Sequence, residues 1–331
     1  MNTQDTQIPS PLRATAQTPL SRLTGRLAKM AKLAIFALVI VFVMWVLRVR
    51  LAEVSWSQIH YKPAVLSLVV LCRIVTMFFL GCVYYLLLGP QTHGLPLWVV
   101  CAITTLSRMG KYLPGKFAST AGAVWLFHRH GLPVSLATRV TLMAQGLTVV
   151  LGLITAVPLT LFWRPIYDIL PLAWLWCALL ITIGIICLHP KVFGKVENFI
   201  LPKLGYSLLP QIARKRDYLW PLAILFTSQA IGGLGLWLII RSVTVFPLAG
   251  LGLCISAVAL AGTLGLLALF APAGLGVREG ILLIILEPVV GSGTSAIVVV
   301  LARVLSTLVE LAVAGLGLVV LRKAHQRKAK P

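Results

Sequence analysis

Long apolar runs constrain this chain more than any other feature. They lie at about residues 33–47, 63–88, 134–162, 171–188, 219–241, 247–270 and 294–321. A helix of about 20 apolar residues crosses the roughly 30 Å of hydrocarbon in a bilayer. With 59% hydrophobic and 11% charged residues, the chain is predicted to be an all-α polytopic membrane protein with about six clear transmembrane helices and two broken hairpins.

The basic residues predict the orientation and the domain boundaries. The net charge of +21 gathers mainly in the N-terminal tail, the 189–218 loop and the C-terminal tail, so all three should be cytoplasmic. We expect a disordered tail over 1–27, one transmembrane domain over 28–321 and a basic tail over 322–331. The predicted location is a bacterial inner membrane. Short scattered basic loops do not predict a nucleic-acid partner.

Two apolar stretches are interrupted by proline and glycine. Residues 95–127 break at Pro114 and Gly115, and the stretch from 271 to 290 begins with Pro272, Gly274 and Gly276. Counting spans between basic loops predicts that 95–127 enters from the cytoplasm and that 247–290 enters from the periplasm. Such opposed breaks are typical of an inverted repeat. Re-entrant hairpins and double crossings both remain open.

Cations lie beside both breaks. Arg108, Lys111 and Lys116 surround the first break, and Arg278 follows the second. A helix N-terminus next to a cation is suited to an anion, so these residues and Arg303 are predicted to bind a lipid phosphate. The alternative is that they extend to the headgroup region and only position the hairpins.

Charged and polar residues also interrupt the long spans. Arg303 and Glu310 lie two turns apart on one helix face, with each other, Arg278 or Glu279 as candidate partners; a pair that only holds helices together is the alternative. Arg73, within 63–88, is a further candidate. The predicted polar stripes, which should face protein or water, include Thr141, Gln145, Thr148 and Thr307.

Several classes of site are not predicted. The cysteines lie inside apolar runs without metal-ligand or disulfide spacing. No nucleotide-binding loop, nucleophile elbow or paired-aspartate motif is present in the sequence, so we expect no catalytic residue, metal or cofactor. Small-residue runs such as IGGLGL predict close helix packing.

The stretches RMGKYLPGK, APAGLGVREG and LARVLSTLVEL resemble the transmembrane family typified by the membrane region of lysylphosphatidylglycerol synthases. The most specific element is a Pro-x-Gly-x-Gly-x-x-Glu pattern, matched by Pro272, Gly274, Gly276 and Glu279. In that family the membrane region is associated with moving aminoacylated phospholipid between leaflets, and a separate soluble domain transfers the aminoacyl group. The resemblance implies a stand-alone member that translocates lipid without aminoacylating it.

The predicted function is therefore to bind and flip an anionic phospholipid or a polyprenyl-phosphate-linked glycolipid. Lys116, Arg278 and Arg303 would hold the phosphate, while Glu279 and Glu310 would neutralise these cations in the empty site. The alternative is a non-transporting scaffold for a lipid or cell-envelope glycan synthesis enzyme. A homo-oligomer or such an enzyme is a candidate partner, and an integral-membrane lipid transferase is disfavoured.

Overall fold

The computed structural model describes residues 63–92, 94–112, 117–163, 172–188, 216–268, 271 and 274–328, with positions 192, 195 and 199. The predicted span 33–47, the 1–27 tail and most of the 189–218 loop lie outside the described residues. So do Pro114, Gly115, Lys116 and Pro272.

All regular structure in the described part of the chain is helical. The helices are α1 (Pro63–Leu88), α2 (Leu97–Ser107), α3 (Phe117–Arg129), α4 (Val134–Phe162), α5 (Ala173–Leu188), α6 (Arg216–Val243), α7 (Leu251–Leu267), α8 (Val277–Val290) and α9 (Ser292–Lys328). Helical segments long and apolar enough to cross a membrane occur at Ala64–Thr92, Val134–Leu159, Leu219–Val243, Leu248–Leu267 and Ser292–Ala324. The chain is a multi-pass membrane protein.

Proline and glycine set several of the helix boundaries. Pro96 and Pro133 immediately precede α2 and α4, where the missing proline N–H removes no helical hydrogen bond. Gly291, with φ +82°, separates α8 from α9. A residue with a side chain rarely adopts that backbone conformation, so the chain turns there and does not continue as one helix.

Two hydrophobic cores lie at opposite ends of the bundle. The first contains α2, α3, the end of α1 and the start of α4, with Ile103 and Phe127 fully buried. The second contains α7, α8, the start of α1 and the end of α6, with Ile240 and Leu286 fully buried. Helices α1, α4, α6 and α9 contribute to both cores and therefore connect the two ends.

The two hairpins enter the bundle from its opposite ends. The first hairpin (α2 and α3, residues 97–129) has both outer ends in the first core, where Leu95 and Leu132 are buried. The second hairpin (α7 and α8, residues 251–290) has its outer ends in the second core, near Phe246 and Leu286. The contacts among the described residues therefore agree with the opposed entry that the charge pattern predicts.

Helix length distinguishes the two hairpins. Helices α2 and α3 have 11 and 13 residues, which correspond to about 17 and 20 Å. A 3₁₀ helix, Arg108–Tyr112, extends the first arm beyond α2, but α3 remains well short of about 30 Å of hydrocarbon, so its length favours a re-entrant hairpin. In the second hairpin, the segment Leu248–Leu267 is long enough to cross, whereas α8 has 14 residues and measures about 21 Å.

Small residues allow the helices to approach closely. A Cβ atom built on Gly233 of α6 would overlap Ile255 Cα of α7, and one on Gly81 of α1 would lie 2.8 Å from Cys101 Cα of α2. Side chains larger than hydrogen would push these backbones apart. Gly233 belongs to the IGGLGL run, for which close packing was predicted.

The second hairpin turns at Gly274, a position that requires glycine for two separate reasons. Gly274 has φ +65°, and a Cβ atom there would lie 2.9 Å from Gly265 O and 3.0 Å from Gly265 Cα of α7. A side chain would be strained by the backbone conformation and would meet backbone atoms that cannot rotate away. The break therefore returns the chain directly along the end of α7.

We predict that Gly274→Ala destabilises the protein by about 1–3 kcal/mol, because the alanine combines positive φ with a backbone clash. Thermal unfolding of the purified protein in detergent measures this effect. Gly280→Ala is the matched control, since Gly280 lies within α8 and a Cβ there meets no atom within 4 Å. Equal melting temperatures for the two variants would contradict the packing explanation.

Candidate functional site at the hairpin tips

The tips of the two hairpins meet at a pocket inside the helix bundle that is lined by charged, polar and apolar side chains. Arg108 of the first tip and Arg278 at the start of α8 line it, with Arg73 of α1 and Glu310 of α9. The uncharged polar lining consists of Thr76, Thr148, Ser228, Gln229 and Ser306. The pocket measures about 170 Å³, less than the roughly 300–1,000 Å³ of pockets that enclose a drug-sized ligand. The pocket is therefore suited to part of a ligand, such as a headgroup, more than to a whole drug-sized molecule.

The pocket lies midway along the bundle. Arg73, Thr148, Gln229 and Glu310 each occur near the midpoint of their own helix, α1, α4, α6 and α9 respectively. These four helices are also the ones that connect the two cores. In a bilayer, the same positions would be at or near the middle of the hydrocarbon layer, where a charged side chain costs about 2.5–3.5 kcal/mol on insertion scales.

Glu310 joins the first hairpin to α9. Its Oε2 atom lies 2.6 Å from Lys111 Nζ and accepts a hydrogen bond of 2.7 Å from the Tyr112 hydroxyl. The Lys111 ammonium also lies 5.0 Å from the centroid of the Tyr112 ring, within the range of a cation–π contact. The carboxylate that lines the pocket is therefore already shared with two partners from the first tip.

Glu279 joins the second hairpin to the same helix. Its Oε2 atom accepts a hydrogen bond of 2.8 Å from the backbone N–H of Gly276, which begins α8 with φ +83°. Its Oε1 atom lies 3.1 Å from Arg303 Nη1. Of the partners predicted for Arg303, the structure selects Glu279. The Glu279 carboxylate thus caps the start of α8, which the sequence predicts to face a lipid phosphate.

The arginines of the pocket have a different environment from Arg303. Among the described residues, no carboxylate forms an ion pair with Arg73, Arg108 or Arg278, and Arg108 Nε is buried without a hydrogen-bond partner. Arg73 lies within electrostatic range of Arg108, Arg278 and Glu310. The pocket therefore concentrates positive charge that the neighbouring described carboxylates only partly neutralise.

The four residues of the predicted polar stripes face protein, and one of them lines the pocket. Thr148 lines the pocket, and Thr307 lies beside Tyr112. Gln145 Nε2 donates a hydrogen bond of 2.9 Å to Thr120 Oγ1 and so joins α4 to α3. Thr141 is buried and donates to the Ala137 carbonyl within its own helix.

Sequence reasoning overlooked the polar residues of α6. Ser228 and Gln229 line the pocket, and the sequence signal was the short polar stretch Thr-Ser-Gln inside the apolar run 219–241. It also did not anticipate the hydrogen bond from Tyr112 to Glu310. Arg73, named only as a further candidate, is brought together with Arg108 and Arg278.

Comparison with known protein families adds an independent finding. The family model described as the lysylphosphatidylglycerol synthase TM region matches residues 29–314. The chain belongs to this family. The match includes both hairpins and the whole pocket, and membership indicates a lipid-related function in the membrane. No curated protein matches the chain significantly.

The Pro-x-Gly-x-Gly-x-x-Glu pattern of this family member has a structural explanation. Gly274 permits the close approach to α7, and Gly276 supplies the N–H that begins α8. Glu279 binds that N–H and Arg303 together. The pattern therefore fixes the second tip to α9 and sets Arg278 into the pocket.

We predict that Lys111 and Glu310 are strongly coupled. Lys111→Met and Glu310→Gln should each lower the free energy of unfolding by about 3–5 kcal/mol, because each leaves an uncompensated charge in a largely buried place. The double variant should lose clearly less than the sum of the single losses. Thermal unfolding of the parent protein, the two single variants and the double variant in detergent measures this double-mutant cycle. Lys323→Met, on the exposed end of α9, is the control. Additive losses would mean that the two groups do not interact energetically.

Proposed function

We propose that this protein binds an anionic lipid by its phosphate and moves it between the two leaflets of the membrane. The lipid is an anionic phospholipid or a polyprenyl-phosphate-linked glycolipid. The observation that carries the proposal is the pocket in which Arg73, Arg108 and Arg278 have no carboxylate partner of their own among the described residues. An anionic guest compensates the charge that the protein leaves open.

The chemistry of the lining fits a phosphate. Guanidinium groups donate paired hydrogen bonds to phosphate oxygens, and these charge-assisted bonds are stronger than neutral ones. Thr148, Ser228 and Gln229 supply neutral hydrogen-bonding groups for the adjoining headgroup atoms. The small volume of the pocket leaves the acyl chains outside, in the lipid, so the phosphate moves through the protein while its chains stay in the membrane.

The opposed hairpins support alternating access. Each tip reaches the pocket from one end of the bundle, so a shift of one tip would open the pocket toward that end. The ion pair between Lys111 and Glu310 holds the first tip on α9, and the pair between Glu279 and Arg303 holds the second. Glu310 also offsets part of the arginine charge when no lipid is bound.

The proposed location is a bacterial inner membrane with both termini in the cytoplasm. Val245, 97% exposed between α6 and the second hairpin, would then face the periplasm, and Gln326, near the end of α9, would face the cytoplasm. In a variant without native cysteines, Val245→Cys should react with an impermeant maleimide in intact cells, and Gln326→Cys only in inverted vesicles. The reverse labelling pattern would invert the proposed orientation.

The transport proposal predicts loss of leaflet exchange when the arginines are removed. In liposomes containing the purified protein, Arg108→Ala and Arg278→Ala should each slow the exchange of a labelled anionic phospholipid by about tenfold or more, since each removes charge-assisted bonds to the phosphate. Arg322→Ala, on the exposed end of α9, should leave the rate unchanged. Exchange at the same rate with and without protein, for several anionic headgroups, would favour the scaffold function.

A further inference from the structure

The pocket holds more positive charge than a phosphodiester neutralises. Three arginines line it, and the one carboxylate among the described lining residues, Glu310, is also bound to Lys111. A phosphodiester headgroup carries a single negative charge. A phosphomonoester carries about 1.5–2 negative charges at pH 7 and presents three acceptor oxygens.

The arginines also belong to three separate elements of the fold. Arg73 comes from α1, Arg108 from the first tip and Arg278 from the second. Three guanidinium groups from three separate elements match a terminal phosphate with three free oxygens better than a diester, which has two. The volume of about 170 Å³ accommodates a phosphate group, so the number of guanidinium donors and not the available space carries the preference.

The same lining disfavours a cationic headgroup. An amino group would need a free carboxylate, and Glu310 is already engaged by Lys111 and Tyr112. Glu279, the nearest other acid of the second tip, is engaged by Arg303 and by the start of α8. An aminoacylated lipid in this pocket would bring its positive charge toward three arginines.

We propose that the pocket selects a terminal phosphate, as in a phosphomonoester or diphosphate lipid, over phosphodiester and cationic headgroups. This inference rests on the proposed function for the lipid nature of the ligand, and it specifies the headgroup class. Binding is measured separately from transport, so the two proposals can fail independently.

The direct test is headgroup competition on the purified full chain in neutral detergent. Dioctanoyl phosphatidic acid should bind at least about tenfold more tightly than dioctanoyl phosphatidylglycerol at pH 7.5, a ratio equivalent to one additional charge-assisted hydrogen bond. Calorimetric titration measures both. Inorganic phosphate is the third ligand. If it binds more weakly than phosphatidic acid, the natural ligand is a lipid phosphate. If the two bind equally tightly, the natural ligand is the free phosphate anion. Equal affinity for the two lipids would overturn the inference.

The pH profile provides a second readout. The second ionisation of a phosphomonoester has a pKa of about 6, so affinity for phosphatidic acid should rise between pH 5 and 7.5, while affinity for phosphatidylglycerol should stay constant. The charged groups that line the pocket are Arg73, Arg108, Arg278 and Glu310. Lys111 lies behind Glu310, and the Glu279–Arg303 pair lies within electrostatic range of Arg278. Helices α4 and α6 contribute only uncharged groups to the described lining. Both lipids meet the same titratable protein groups, so we assign to the ligand a rise that occurs with phosphatidic acid and not with phosphatidylglycerol. A flat profile for phosphatidic acid would overturn the inference.

Variants of the pocket complete the test. Replacing a lining arginine by glutamine should reduce affinity for phosphatidic acid more than affinity for phosphatidylglycerol, and so lower the ratio of the two affinities. The three variants are Arg73→Gln, Arg108→Gln and Arg278→Gln. The corresponding lysine variants keep the charge and provide the comparison if a glutamine variant does not fold. Arg322→Gln should leave the ratio unchanged. Persistent leaflet exchange without phosphatidic acid preference overturns this inference alone; phosphatidic acid preference without exchange overturns only the transport proposal.

Discussion

Positive charge inside an apolar helix bundle is the constraint on which the rest of the structure depends. Arg73, Arg108 and Arg278 need a polar space, because hydrocarbon solvates neither a guanidinium nor an open backbone. The second hairpin tip needs the same space, since the N–H of Gly276 at its interrupted helix is bound by the charged side chain of Glu279. One pocket meets both needs. The breaks, the charges and the cavity are therefore parts of a single arrangement.

Helix α9 carries the contacts that hold both tips. Glu310 binds Lys111 and Tyr112 of the first tip, and Arg303 binds Glu279 of the second. The two residues lie two turns apart on one helix face, so a displacement of α9 acts on both tips. This arrangement offers a physical route by which a ligand at one tip could affect the other, provided that both ion pairs have two discrete states.

In this chain the fold and the chemistry of the pocket depend on different residues. The scaffold consists of the two cores, the connecting helices and the glycine contacts such as Gly274 against Gly265. The chemistry lies in a few side chains around a small pocket. In this chain the charged members of the described lining are three arginines and one glutamate, which is why the charge of the headgroup, more than its size, is expected to decide what binds.

Sequence by itself determined the helical membrane fold and five of its predicted spans, and it indicated the opposed entry of the hairpins, because apolar length and basic loops act locally or through simple counting. It also placed Arg278 and Glu279 at a helix start. Only the tertiary structure decided that Arg73 joins Arg108 and that Gln229 faces them. Those contacts depend on how each helix is rotated about its axis and packed against its neighbours, which periodicity along one helix does not specify.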